Sequence, residues 1–240
     1  MTKGNSMNKK LLTGLCAVMM LVGLTGCKPK ETKPEDPTNT STTEPKETPK
    51  TENTNNKEVT TDNFKNFPET DEKYFTYEEW QEGYAIYSCT SDDKVVRVPK
   101  TIKGKPVIAI GQRGMANLEK CEAIVLPDTV RYLGESAFVI DEALKYIDLG
   151  TGVETVDDNI FNTCTSLEKV EFPEGTKKIG LMVFANNDSI KTIKIPASVT
   201  EIDPVFFSRA TSNTDVEIHT PKDSAAEKVA IKAGLKVVND

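Results

Sequence analysis

The chain has 240 residues, a formal charge of −7 and an isoelectric point near 5.0. That acidic balance argues against a nucleic-acid partner, whose phosphates are met by clustered lysine and arginine. Five cysteines without a Cys-x-x-Cys pair argue against a disulfide framework or a thiolate metal site.

Taken in chain order, residues 1–27 read as an export signal rather than as structure. Lys9 and Lys10 supply a basic start, and Met7 is an alternative initiator. Residues 11–23 are apolar but fall short of the roughly 20 residues that span a bilayer. The closing Leu24-Thr25-Gly26-Cys27 resembles the lipobox of bacterial lipoprotein signals. The resemblance implies cleavage before Cys27 and a diacylglycerol on its sulfur. Several acyl chains, at about 0.8 kcal/mol per buried CH₂, would anchor the protein without spanning the membrane.

Residues 28–62 are Thr, Pro, Lys, Glu and Asn around a single hydrophobic residue, Val59. Such a composition cannot bury enough apolar surface to offset its ordering entropy, so it reads as a disordered spacer. The leader contributes +3 and the spacer −2, leaving −8 on residues 63–240.

Residues 63–106 are expected to form an N-terminal cap. Within it, 84–87 and 95–98 flank Thr90-Ser91-Asp92-Asp93 as a hairpin would. Phe75, Tyr74, Tyr77 and Trp80 precede that hairpin and are expected to pack on the first coil.

Over residues 107–221 a 23-residue period takes over. It links Ile124, Ile147, Val170, Ile193 and Val216, and likewise Leu126, Leu149, Phe172, Ile195 and Ile218. It also links Ile110, Leu133, Val156, Ile179 and Ile202, and then Met115, Phe138, Phe161, Phe184 and Phe207. Each copy offers a short alternating strand, a turn, a second short strand and a helical or 3-10 turn ending on the Phe slot. A unit this small cannot hide its own apolar side, so the copies must stack. The fold class that follows is a repeat solenoid of about five coils, mainly short parallel strands laterally paired roughly 4.8 Å apart. Residues 222–240 close it: Ser224-x-x-Glu227 opens a helix, Gly234 ends it, and a last strand follows.

Val107-Ile108-Ala109-Ile110-Gly111, Ile124-Val125-Leu126-Pro127-Asp128-Thr129-Val130, Glu135-Ser136-Ala137-Phe138 and Asn162-Thr163-Cys164-Thr165-Ser166-Leu167 are similar to the repeat of BspA-type leucine-rich-repeat surface proteins. The resemblance implies a leucine-rich-repeat-like solenoid on a bacterial surface, with adhesion among the family's roles. Gly150 departs from the strand-ending Pro, Asp157 and Asp203 from a Gly, and Thr176 from a Val.

No catalytic constellation accompanies the repeat. His219 is the single histidine, and no nucleophile elbow, phosphate loop or metalloprotease motif is present. Asp157-Asp158-Asn159 could attract Ca²⁺, and Asp141-Glu142 could pair as acids, but solvated loop carboxylates are commonplace. The expectation is therefore a non-enzymatic binder with no cofactor and no metal, located in the envelope. Its partner would be an extracellular or cell-surface protein; a polysaccharide, with Trp80 stacking on sugar, or a structural envelope role are the alternatives. The candidate binding face comprises Val125, Tyr132, Tyr146, Asp148, Lys169, Glu171 and Lys194, graded from apolar at one end to mixed charge at the other.

Overall fold

A computed structural model of the protein describes residues 57–207 and 215–240. The leader with Cys27, and the spacer as far as residue 56, lie outside the described residues.

The chain winds through six tiers, each with one short strand on either side of a common core. On the first side lie β2 (Gly83–Cys89), β5 (Lys105–Ile110), β7 (Tyr132–Leu133), β9 (Thr155–Val156), β11 (Lys178–Ile179) and β13 (Glu201–Ile202). Neighbours in that series pair in parallel, and β1 (Phe75–Trp80) adds antiparallel to β2 at its edge. On the second side lie β3 (Val95–Arg97), β6 (Ala123–Val125), β8 (Tyr146–Asp148), β10 (Lys169–Glu171), β12 (Thr192–Lys194) and β14 (Glu217–His219). Here the ladder runs β3-β6-β8, is interrupted, and resumes as β10-β12-β14. Beside β5, β4 (Thr101–Ile102) makes a tight hairpin through Lys103 and Gly104, both at positive φ.

The six tiers exceed the five expected because the first, β2 with β3, is offset from the second by 28 residues on its second strand. The N-terminal hairpin is present but lies one strand earlier than its turn signals suggested. β1 and β2 form it, whereas residues 95–97 cross to the opposite sheet.

The core follows from the repeated slots. Phe138, Phe161 and Phe184 are fully buried, and successive ring centroids are 5.4 and 5.6 Å apart at 11° and 22°. Phe207 continues the column at 6.4 Å and 39°. Burying each such ring contributes on the order of 2–3 kcal/mol, and offset stacking adds about 0.5–1.5. Thr176, in a Val slot, is fully buried because its hydroxyl donates to the carbonyl of Val153 at 3.0 Å.

The turns after the first-side strands are not helical. Two positions per tier take left-handed backbone: Arg113, Ser136, Asn159 and Met182 in one slot, and Asn117, Ile140, Thr163 and Asn186 in the other. Positive φ twice within five residues breaks a right-handed path, so successive β-turns replace the helical turn expected from sequence.

The interruption between β8 and β10 lies next to Gly150, the residue that replaces proline. Gly150 is left-handed, and a Cβ there would stand 3.0 Å from the carbonyl oxygen of Leu126. The third tier thus hugs the second, where the Leu126 amide donates to the Asp148 carbonyl at 2.8 Å.

At the far end α1 (Ala225–Ala233) is capped by Ser224, whose hydroxyl accepts from the Glu227 amide at 3.0 Å. Gly234, at φ 75, ends the helix, and β15 (Lys236–Val238) pairs with β14. In the last tier the register departs from the 23-residue frame. Ile193 pairs with Ile218, not Val216, so two extra residues sit between β13 and β14. A slip of two preserves the alternation of a strand, which is why the pattern did not betray it.

Candidate functional site

The expected binding face divides into three parts in the structure. Val125 and Tyr146, on β6 and β8, point away from the core but are covered by residues 57–70. Val59, Phe64 and Phe67 pack there against Val95, Ala123 and Val125 as a second apolar cluster, with Tyr146 at its margin. The Thr70 amide donates to the Arg97 carbonyl at 2.9 Å, and the Arg97 amide returns to the Thr70 hydroxyl at 3.0 Å. The Arg97 guanidinium donates to the Lys65 carbonyl, and the Lys65 ammonium lies 2.8 Å from Asp148. Val125 is left 6% exposed. This corrects the expectation of an open apolar strip. It also shows Val59 buried in this cluster, although composition had assigned it to the spacer. Three apolar residues spread over nine positions are enough to cover three short strands, and they straddle the expected boundary at residue 62, Val59 before it and Phe64 and Phe67 after it.

Lys169, Glu171 and Lys194 form the open part. Lys169 pairs with Glu171 at 2.5 Å, and Lys194 lies 3.9 Å from Asp240. The last outward pair is Glu217 and His219, not Asp215 and Glu217, because of the two-residue slip.

Tyr132 belongs to neither part; it lies on the opposite sheet. Its outward slot is occupied in the two preceding tiers by Ala85 and Ala109, and these small residues leave a hollow. Trp80, the last residue of β1, leans over the hollow to bring its ring 5.5 Å from that of Tyr132. On the other side lies Tyr87, whose ring rests on Gly111; a Cβ there would stand 2.5 Å from a ring carbon. Gly111 and Gly134 complete the floor, and Gln112, Glu135 and Asp157 form the polar rim of a cavity of about 260 Å³.

The rim is hydrogen-bonded. The Gln112 amide donates to Glu135 at 3.1 Å. The Tyr132 hydroxyl donates to Asp157, whose other oxygen lies 3.7 Å from the Lys178 ammonium. Burial pushes the Tyr132 phenol well above its ordinary value, and the bond to Asp157 and the nearby Asp158 and Glu135 push it further. It stays a neutral donor. Asp157 stands in the slot that is glycine at 111, 134 and 180, so one departure from the repeat supplies the rim carboxylate. Tyr132 and Trp80 were legible as candidates, whereas Tyr87, Gln112 and Glu135 were missed. The signal that could have found them is the coincidence of two departures, Tyr132 and Asp157, in adjacent tiers.

Little else has the makings of chemistry. Asp157 and Asp158 are engaged, the latter accepting from the Leu181 amide at 2.8 Å. Asp141 is buried and Glu142 is not beside it in the core. The three cysteines of the described residues are free, and burial raises each thiol, Cys89 to about 11, so none is an activated nucleophile. His219 lies 3.4 Å from both Glu217 and Asp240. Among the described residues no group of three or more potential metal ligands is gathered. Larger hollows beside β6 and β12 are open shelves whose lysines already pair with carboxylates, Lys145 with Glu122 at 2.8 Å and Lys191 with Glu168 at 2.9 Å.

The BspA type leucine-rich-repeat region matches residues 84–220 in six copies. Three solved structures are similar to this chain. A leucine-rich-repeat protein of T. pallidum is 26% identical with a TM-score of 0.60, over 63% of this chain and 71% of that one. A leucine-rich cell surface protein of Faecalibacterium prausnitzii is 26% identical with a TM-score of 0.54, over 65% and 40%. A leucine-rich-repeat protein of Bacteroides ovatus is 27% identical with a TM-score of 0.52, over 60% and 39%. The chain thus spans about two fifths of the length of the latter two. Among curated proteins none matches it.

Proposed function

Because the chain belongs to the BspA-type leucine-rich-repeat family, we propose that it is a non-enzymatic bacterial cell-surface protein that holds a macromolecular partner, in the manner of an adhesin. The observation that carries this reading is a parallel stack of strands with side chains presented at fixed intervals, without a gathered group of metal ligands or an activated thiol among the described residues. Repeat solenoids use such regular surfaces for extended partners. The open parts of this one are the charged strip of Lys169, Glu171 and Lys194 and the aromatic hollow of Trp80 and Tyr132.

The address belongs to the same proposal. Leu24-Thr25-Gly26-Cys27 supports lipid attachment at Cys27, and the Thr/Pro/Lys/Glu stretch after it supports a tether that lifts the solenoid from the membrane. The leader (1–27) and the tether after it belong to this reading, whereas the repeats begin inside the expected cap and span residues 84–220.

Two measurements test it. An alkyne fatty acid fed to cells should label the protein, and Cys27→Ser should abolish the label and release the chain from the membrane fraction. The purified chain should bind immobilised extracellular-matrix or bacterial surface proteins in a saturable way. Membrane release without loss of label, or uniformly negative binding, would count against the two halves separately.

A further inference from the structure

We propose that the hollow between Trp80, Tyr87 and Tyr132 is a receptor for a single cationic side chain, lysine or arginine, projecting from a protein partner. The inference deepens the surface-binding reading above and rests on it.

Other rings at this end of the molecule already hold cations. Phe64, Phe67, Tyr74, Tyr77 and Tyr84 each carry a lysine ammonium 4.9–5.8 Å from the ring centroid. Among the described residues no lysine ammonium or arginine guanidinium lies over the three rings of the hollow in this way. An aromatic face attracts a cation through its quadrupole, and a cluster of faces does so more strongly once water is displaced.

The charge of the hollow also complements a cation. The residues lining the hollow include two carboxylates, Glu135 and Asp157, and no lysine or arginine. The Glu135 carboxylate accepts from the Gln112 amide, and among the described residues no ammonium or guanidinium lies within ion-pair distance of it. Asp157 is shared with Lys178 at 3.7 Å, a loose pair whose lysine side chain is 46% exposed and can swing outward. An incoming guanidinium would lie over the rings and present its N–H groups to these acceptors, a geometry that suits carboxylates. The net −8 of residues 63–240 favours the approach of a basic partner.

The size of the hollow suits one side chain. About 260 Å³ lies below the usual range of roughly 300–1,000 Å³ for pockets that engulf whole small molecules. It is enough for one long side chain, and the alanine and glycine floor exists only because these slots lack side-chain bulk. A neutral sugar stacking on Trp80 would use the rings but would leave the rim charge without a counterpart.

Trp80 is the single tryptophan of the sequence, so its fluorescence reports on the hollow directly. The test titrates the full chain with a short acetylated, amidated peptide containing one arginine, with its lysine counterpart, with its neutral citrulline isostere, and with an N-acetylglucosamine oligomer. The expected result is saturable quenching by the arginine or lysine peptide, weakened about tenfold or more for citrulline and on Glu135→Gln, and weakened further by added salt. Tyr87→Ala should reduce the same signal, and unchanged circular dichroism would show that either variant is folded. Equal response to arginine and citrulline, or a response to the sugar alone that Glu135→Gln leaves intact, overturns the proposal. No response to any probe overturns it also. Binding to immobilised proteins that persists undiminished in Glu135→Gln would remove this receptor while leaving the surface-binding reading standing.

Discussion

Phe64 stacks on Tyr146, ring centroids 5.6 Å apart and planes 19° from parallel. A residue from the edge of a polar stretch thereby covers the outward face of the third tier, and with Val59 and Phe67 it shields an apolar strip that would otherwise face water. The cover touches the solenoid but contributes no strand to it, so it can come away alone.

Phe64→Ala should therefore act locally. Amide protection should fall over residues 57–70, and a dye that binds apolar surface should light up on the uncovered Val95, Val125 and Tyr146. The melting temperature of the solenoid should move little. Hydrogen exchange read by mass spectrometry checks this, and a global loss of protection would contradict it.

The aromatic column should behave oppositely. Phe161 has a ring on each side, so Phe161→Ala should cost about 3–5 kcal/mol; Met115→Ala, at the column's end, should cost nearer 2. Urea titrations of the two variants check the order. Equal costs would mean that the tiers do not share one continuous interior.

Asp141 gives a pH prediction. It is fully buried, one oxygen accepts from the Leu118 amide at 2.7 Å, and the other has no hydrogen-bond partner among the described residues. In the same slot of the next two tiers, Cys164 and Asn187 donate to the carbonyls of Phe138 and Phe161 at 3.0 and 2.7 Å. Desolvation raises the Asp141 carboxyl from 3.8 to about 8. Between those values the folded state keeps a proton that the unfolded chain has lost, so stability falls as pH rises from about 4 to about 8. Asp141→Asn should flatten that slope and raise stability at neutral pH by on the order of 1–3 kcal/mol. Denaturant melts across the window check both.

Ile140 gives the last one. It is β-branched, 39% exposed and held at φ 64, where the equivalent residues are Asn117, Thr163 and Asn186. Left-handed backbone costs an ordinary residue roughly 1–2 kcal/mol and asparagine less. Ile140→Asn should stabilise the fold by about 1 kcal/mol, seen as a higher denaturant midpoint with an unchanged slope.

The solenoid was legible because one slot repeated every 23 residues has only one physical solution. What escaped did so for identifiable reasons. The first tier was hidden by the Lys103-Gly104 hairpin, which lengthens its spacing. The last register was hidden because a shift of two residues leaves a strand's two faces unchanged. Tyr132 and Tyr146 look alike in a list of outward positions, yet they lie on opposite sheets, since the strand each occupies alternates sides. The hollow was half legible: its rings were visible, but its floor consists of missing side chains, and absent bulk has no signature in a hydrophobic pattern.

The broken ladder between β8 and β10 bears on how the molecule responds to load. At that level the β7–β9 pairing and the turn amides of Ser136, Phe138 and Ile140, which donate to the carbonyls of Asp158, Ile160 and Asn162, join three tiers to the three beyond, while the second-side ladder is broken between β8 and β10. A pull along the axis would meet its weakest rung there, and the protein would part into two halves before either unravelled.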